Sequence, residues 1–343
     1  MKNGAAVAQF ERAFADYVGA RYGIALCNGT ATIHTALAVI GVDVADVAVP
    51  PLTMAATTIA VLHAGGRPVF QDVDPATWLM RPPKERAAAY VPVSLYGIHY
   101  PDAPADRAGV TVDDAAQTLR PHGNALFTSY SLQASKILPL GEGGVLVTDD
   151  EGAAQEARSF SSLGYRMRAD QPRIDPAVLK SPTYERHHTL GWNYRMSDIV
   201  AREGVAAVLE REHLTGALWV DVWKRARLEC ADLYRQVVAS CEWLTPQYVP
   251  TGWTHDYWAY AVAVDTPERA IALADRVVEH GGERPYAAWR LTYHEPAFRH
   301  LAPIGGCPVA EDLQPRLLQL QTNDLRSAER NAEALRLAIE DLG

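Results

Sequence analysis

Apolar residues over positions 5–19 recur at helical spacing, with Phe10, Phe14 and Val18 on one face. Ile24 to Leu26 follows as a short strand. Asn28-Gly29-Thr30 then opens a helix that carries Ile33, Ala36, Leu37 and Ile40 inward. Asp46 to Pro50 predicts a strand, 53–65 a helix and Pro68 to Gln71 a strand. Further strand patterns lie at Tyr90 to Val93, Gly109 to Val112, Ala125 to Tyr130 and Gly144 to Thr148. Strands that alternate with helices predict an α/β layered domain with a mostly parallel sheet.

From about 198 the pattern turns helical, and 198–239 reads as one long stretch rich in Ala, Leu, Glu and Arg that leads into a second domain. There Tyr257 to Val264 predicts a strand. Thr266-Pro267-Glu268 is a helix start, with Thr as N-cap and Pro at the first helical position. That helix runs to about 280 and stops at Gly281-Gly282, and a last helix covers 325–341. The expected division is a large α/β domain over 1–215 and a small α+β domain over 216–343.

Composition narrows the function. The 343 residues are 48% hydrophobic and 21% charged, ordinary for a globular chain able to bury a polar site. A net charge of −9 argues against nucleic acid as the main partner, since phosphate binding on that scale needs a basic surface. The four cysteines (Cys27, Cys230, Cys241 and Cys307) have neither zinc-finger nor thioredoxin spacing, so reduced thiols and no metal are expected. Met1-Lys2-Asn3-Gly4 leads into an amphipathic stretch without an apolar signal region, and no run is long enough to span a membrane. A cytoplasmic protein is expected.

Three places carry candidate chemistry. Of five lysines, Lys136 alone follows a strand pattern and precedes a glycine-rich turn, Gly141-Glu142-Gly143-Gly144. A desolvated lysine amine is a nucleophile toward carbonyls, although most lysines are solvated surface residues. Asp113-Asp114 ends an apolar run, where an α/β sheet presents ligands. An acid there can hold a protonated pyridine nitrogen, cap a helix or bind a metal. Asn28-Gly29-Thr30-Ala31 joins a strand to a helix, which is either a phosphate site or an ordinary capped turn.

Together these segments resemble the DegT/DnrJ/EryC1/StrS aminotransferases, and the likeness covers nearly the whole chain. Asn28-Gly29-Thr30-Ala31 is similar to the family's phosphate turn. Val49 to Thr57, Pro68 to Asp74 and Leu95-Tyr96-Gly97 fit further segments, as do Asp114-Ala115-Ala116-Gln117, Asn193-Tyr194-Arg195-Met196 and Cys307 to Glu311. The resemblance implies a fold-type I transferase that uses pyridoxal 5'-phosphate, with Lys136 as the Schiff-base lysine. It implies Asp114 on the pyridine nitrogen, Gln117 near the ring hydroxyl, and Thr30, Ala31 and Ser131 on the phosphate. Asn193 would reach the phosphate of a neighbouring subunit, which implies a homodimer with shared sites. The implied reaction moves an amino group from Glu or Gln to a keto-sugar, nucleotide-linked or not, or to a keto-cyclitol. His187, His188, Arg195, Tyr293 and His294 are candidate substrate contacts.

Rival readings are a sugar dehydratase on the same scaffold, which places His where Lys136 stands, and a sensor that keeps the fold without catalysis. An NAD enzyme would need a Gly-x-Gly-x-x-Gly turn that Asn28-Gly29-Thr30 does not supply. The chain departs from the family in three ways. Met54 stands where an aromatic usually faces the cofactor ring. The stretches Gly97 to Asp113 and Gln117 to Ser131 are short, the first expected to lose most of a helix and the second a hairpin. The lead before the first helix is nearly absent.

Overall fold

A computed structural model describes residues 5–83, 85–99, 109–169 and 175–343. The chain opens with α1 (Ala5–Val18), β1 (Tyr22–Leu26), α2 (Gly29–Ile40), β2 (Asp46–Val49), α3 (Ala56–His63) and β3 (Arg67–Phe70). Then come β4 (Ala89–Tyr90), β5 (Val110–Asp114), β6 (Phe127–Ser131), β7 (Gly144–Thr148), α4 (Glu151–Ser161), α5 (Pro176–Leu179) and α6 (Asp198–Leu209). The remainder is α7 (Trp219–Val238), β8 (Leu244–Pro246), β9 (Ala259–Val264), α8 (Pro267–Glu279), β10 (Tyr286–Ala287), α9 (Pro308–Leu313), β11 (Leu317–Gln321) and α10 (Leu325–Leu342).

Seven strands form one sheet in the order β1-β7-β6-β5-β4-β2-β3. From β6 to β3 every pair is parallel, whereas β7 is antiparallel to both β6 and β1. Six strands therefore share one direction and β7 runs against them. The carboxyl ends of β1, β5 and β6 and the amino end of β7 all lie along one edge, where an open α/β sheet binds ligands. A second sheet, antiparallel in the order β10-β11-β9-β8, packs Val262, Leu318 and Leu320 against Tyr234 of α7, Leu273 of α8 and Leu335 of α10. Among the described residues no helix is long and apolar enough to cross a membrane.

Local signals explain most of these elements. Asn28, Asp150, Ser197, Thr266 and Asp324 each cap a helix by accepting a backbone N–H of its first turn. Two of the expected elements are broken or cut short. The helical stretch 198–239 is broken into α6 and α7 by a tight turn, in which the Glu212 carboxylate accepts from Leu214 N (2.9 Å) and Thr215 N (2.7 Å) and Gly216 takes φ +70°. The strand expected from Tyr90 to Val93 pairs only at Ala89–Tyr90, because Pro92 has no N–H to give; Val93 rejoins the sheet as a single bridge to Asp114. Of the two shortened segments, 100–108 lies outside the described residues. The other, 117–131, is a loop that runs into β6 and is tied to that strand by Tyr130 Oη, which donates to Arg120 O (2.7 Å).

Glu11 of α1 and Arg158 of α4 hold the first strand in place. Arg158 donates to both carboxylate oxygens (2.9 Å each), to Gly23 O and to Ala169 O, and Glu11 also accepts from Ala25 N. Both side chains are buried. Arg158→Met leaves an uncompensated carboxylate inside and is expected to destabilise the protein by about 3–5 kcal/mol in urea unfolding. Adding Glu11→Leu in the same chain removes that charge and is expected to recover part of the loss.

Candidate active site

The site begins where β1 turns into α2. Asn28 Oδ1 accepts from Ala31 N (2.8 Å), which leaves the N–H groups of Gly29 and Thr30 without an intrahelical acceptor at the positive end of the helix. Glycine is required here by contact: a Cβ on Gly29 would sit 2.9 Å from Ser131 Cβ, and one on Gly144 would sit 2.6 Å from the Asn28 carbonyl carbon. The turn, the end of β6 and the start of β7 are thus pressed together.

Asp114 ends β5 and is buried. Its Oδ2 accepts from Thr57 Oγ1 of α3 (2.8 Å) and its Oδ1 from Ala116 N (3.1 Å). Burial pushes its pKa up; the bonds from Thr57 and Ala116 and the charge of Lys136 oppose that. Gln117, also buried, accepts from Tyr96 N through Oε1, a bond that needs Tyr96 in the left-handed region (φ +62°). With its oxygen engaged, Gln117 has its amide N–H groups left to give.

Lys136 sits on a loop closed by its own backbone: Leu132 N to Gly143 O, Ala134 N to Gly141 O and Leu140 N to Leu132 O, each 2.9 Å. Its Nζ lies 4.8 Å from the centre of the Trp258 ring. Burial lowers its pKa; the nearby Arg227 charge lowers it further and Asp114 opposes. Arg227 of α7 donates to Ser135 O (3.2 Å) and Lys136 O (3.1 Å) from one terminal nitrogen, and to Trp258 O (3.0 Å) and Thr322 Oγ1 (3.2 Å) from the other.

Thr30, Met54, Asp114, Gln117, Ser131 and Lys136 line one cavity of about 440 Å³. Ala31 does not; it is buried beneath, its N–H taken by the cap. Asn193 is exposed and outside the cavity, its backbone paired with Ser162. Arg195 bridges to Leu26 through its backbone and has a buried Nη1 without a hydrogen-bond partner among the described residues. His187 stacks on Tyr165 and bonds to Leu163 O, while His188 meets Arg166. Tyr293 is buried, gives its hydroxyl to Glu311 Oε1 (2.8 Å) and accepts from Cys307 N, with His294 beside it. None of these five candidate substrate residues lines the cavity. The sequence reading assigned no role to Thr57, Trp258, Trp289 or Arg227. Thr57 stood inside a matched segment; the other three are brought in by folding from far along the chain.

Residues 1–333 match the DegT/DnrJ/EryC1/StrS aminotransferase family, and the chain belongs to it. It is 32% identical over 297 residues to the GDP-perosamine synthase of Caulobacter vibrioides, covering 80% of this chain and 73% of that one. It is 30% identical over 289 residues to the L-glutamine:scyllo-inosose aminotransferase of Streptomyces griseus, covering 78% and 65%. Among solved structures it shares its fold with the aminotransferase from Psychrobacter cryohalolentis (TM-score 0.82, 21% identity, 98% of this chain and 92% of that one). PseC, an aminotransferase of Helicobacter pylori, is likewise similar (TM-score 0.80, 18% identity, 99% and 92%). The protein is a fold-type I aminotransferase that uses pyridoxal phosphate. Its residues fit that group: open N–H donors at a helix start, a buried acid and a half-buried amine face one cavity.

Gly29→Ala forces a methyl group into Ser131, so pyridoxal phosphate is expected to bind about tenfold or more weakly in a fluorescence titration. The depressed Lys136 pKa leaves a neutral amine at lower pH than a free side chain does. The rate of covalent capture of pyridoxal phosphate is expected to rise with a midpoint below 10.5, and Arg227→Met moves that midpoint upward.

Proposed function

We propose that the enzyme moves an amino group from glutamate or glutamine to the ketone of a keto-sugar, nucleotide-linked or free, or of a keto-cyclitol. Lys136 is its covalent anchor and its proton carrier, and it works as a homodimer with shared sites. The observation that carries this reading is the placing of one amine and one buried carboxylate, Lys136 and Asp114, on the same cavity. Pyridoxal phosphate supplies the electron sink that makes a carbon next to nitrogen acidic. The Gly29 and Thr30 N–H groups and the Ser131 hydroxyl hold its phosphate, with Asn28 fixing the turn and Ala31 supporting it from below. Asp114 keeps a proton on the ring nitrogen, and Thr57 and Ala116 N hold the carboxylate toward it. Gln117 donates to the ring hydroxyl. Lys136 Nζ takes a proton from the donor's carbon and returns it to the acceptor's, a task that suits an amine with a lowered pKa.

The relatives, a GDP-perosamine synthase and an L-glutamine:scyllo-inosose aminotransferase, support a sugar or cyclitol ketone, and the second supports glutamine as donor. The homodimer rests on the surface around Asn193. Leu190 is 89% exposed, Trp192 49% and Ile199 76%, a cluster of large apolar side chains that a second copy would cover. On that face Asn193 reaches the partner's phosphate, and two residues on, Arg195 has a buried Nη1 with no hydrogen-bond partner among the described residues.

Borohydride reduction after incubation with pyridoxal phosphate is expected to label the parent protein at Lys136 and to leave Lys136→Ala unlabelled; a label elsewhere overturns the assignment. Asp114→Asn is expected to cut the amination rate by about a hundredfold or more while labelling persists. Mixed Lys136→Ala and Asn193→Ala chains, each inactive, are expected to regain about a quarter of parent activity, since a mixed dimer has one intact site.

A further inference from the structure

Asp256 does not line the cofactor cavity, yet it is buried and ties together three stretches of the chain that reach the cavity wall. Its Oδ2 accepts from Thr118 Oγ1 (2.7 Å) and Leu119 N (2.8 Å), the two residues after Gln117. Its backbone N donates to Gly97 O (2.8 Å), next to Tyr96, whose own N donates to Gln117 Oε1. These bonds form a closed circuit through Tyr96, Gly97, Asp256, Thr118 and Gln117. Two residues beyond Asp256, Trp258 lines the cavity and faces Lys136 Nζ.

The circuit is tight. Tyr96 (φ +62°), Gly97 (φ +108°) and Tyr257 (φ +46°) all have positive φ, a region that tyrosine rarely enters. A Cβ on Gly97 would lie 2.8 Å from Trp258 N and 3.1 Å from Gln117 O. Such backbone strain persists where surrounding bonds over-determine it, and the Asp256 carboxylate supplies two of them. Lys224 Nζ lies 3.2 Å from its Oδ1 and His99 Nε2 3.1 Å from its Oδ2. Burial pushes the Asp256 pKa up, but the bond and charge of His99, the charge of Lys224 and the Thr118 bond hold it far below the usual carboxylate range. A charged carboxylate only accepts, and it holds the Thr118 hydroxyl and the Leu119 N–H more firmly than a neutral group does.

We infer that Asp256 is a positioning residue for the amination: it sets Gln117 and Trp258 against each other, so that the Gln117 amide meets the cofactor's ring hydroxyl while the indole stays over Lys136. The inference rests on the Gln117 contact proposed above. Asp256 itself touches neither cofactor nor substrate. Without its carboxylate, Thr118 and Leu119 lose their acceptor, the stretch that carries Gln117 parts from the stretch that carries Trp258, and the bond to the ring hydroxyl lapses.

The pH dependence of the bound cofactor's near-visible absorbance tests this without turnover. A donor on the ring hydroxyl favours its anionic form, so loss of that donor moves the absorbance midpoint to higher pH. Gln117→Leu is expected to raise the midpoint by about one pH unit, and Asp256→Ala nearly as far. The double variant is expected to go no further than Gln117→Leu alone, since both changes remove the same bond. Thr118→Val takes away a single hydroxyl; it is expected to move the midpoint the same way by less, and it decides the matter if Asp256→Ala does not fold. In turnover, Asp256→Ala is expected to lower kcat about tenfold with KM for the ketone changed by less than about twofold. A midpoint that stays put in Asp256→Ala and Thr118→Val while Gln117→Leu shifts it overturns the positioning role and leaves the Gln117 contact standing. Additive shifts in the double variant overturn the route through Gln117. A midpoint unmoved by Gln117→Leu refutes that contact, and the positioning role with it.

Discussion

The guanidinium of Arg227 is the interaction on which the active-site geometry depends. Four N–H groups leave it for the carbonyls of Ser135, Lys136 and Trp258 and for the Thr322 hydroxyl, so one buried side chain joins the lysine loop to both sides of the second sheet's entry. Burial without water pulls its pKa down to about 10, yet it keeps its charge at neutral pH because every terminal donor is satisfied. A lysine in that position would offer three donors without the planar fork and could not hold carbonyls on two segments at once. Asp114 and Lys136 follow neighbouring strands of one sheet, β5 and β6, and Arg227 ties the lysine loop to the second sheet through Trp258 and Thr322.

The other half of the site depends on close approach. Because β7 runs against its neighbours, its amino end rather than its carboxyl end comes to the ligand edge, and Gly144 lies directly under Asn28. Gly29 in turn lies against Ser131. These contacts bring the start of α2 down onto the ends of two strands, so its open N–H groups face into the cavity. The glycines are therefore required by packing between segments, a stronger constraint than the turn itself.

What could be seen in the sequence follows the range of the forces involved. Caps are local: Asn28 and Thr266 announce α2 and α8 because the bond that ends each helix spans three residues. Lys136 and Asp114 are legible because the first follows a strand pattern, the second ends one, and both stand in segments with a known likeness. The break between α6 and α7 was hidden, since Ala, Leu, Glu and Arg dominate on both sides and only Glu212 and Gly216 mark the turn. Strand β11 was missed because its run Leu317-Leu318-Gln319-Leu320-Gln321 is short and lacks β-branched residues. Tyr293 and His294 looked like substrate contacts from their chemistry, but the fold turns the tyrosine hydroxyl into Glu311 and Cys307. Trp258 and Trp289 carried no spacing signal, because what makes them site residues is a contact across more than a hundred positions.

Met54 shows why that distance matters. At 53% exposure it is a thioether at the rim, and it gives the cavity no aromatic face from the large sheet. The aromatic surface comes from the opposite side, where Trp258 is held by its Nε1 bond to Ser135 O and stacked on Trp289. That placement has an electrostatic consequence. An indole face attracts an ammonium and so favours the protonated amine, as does the carboxylate of Asp114. Burial and the Arg227 charge act the other way and prevail, leaving the amine more acidic than a free lysine. Burial and three groups from three stretches of the chain, Trp258, Asp114 and Arg227, therefore meet at one nitrogen. Arg227 acts there in two ways: its charge disfavours the ammonium, and its grip on the Trp258 carbonyl keeps the indole that favours it in reach.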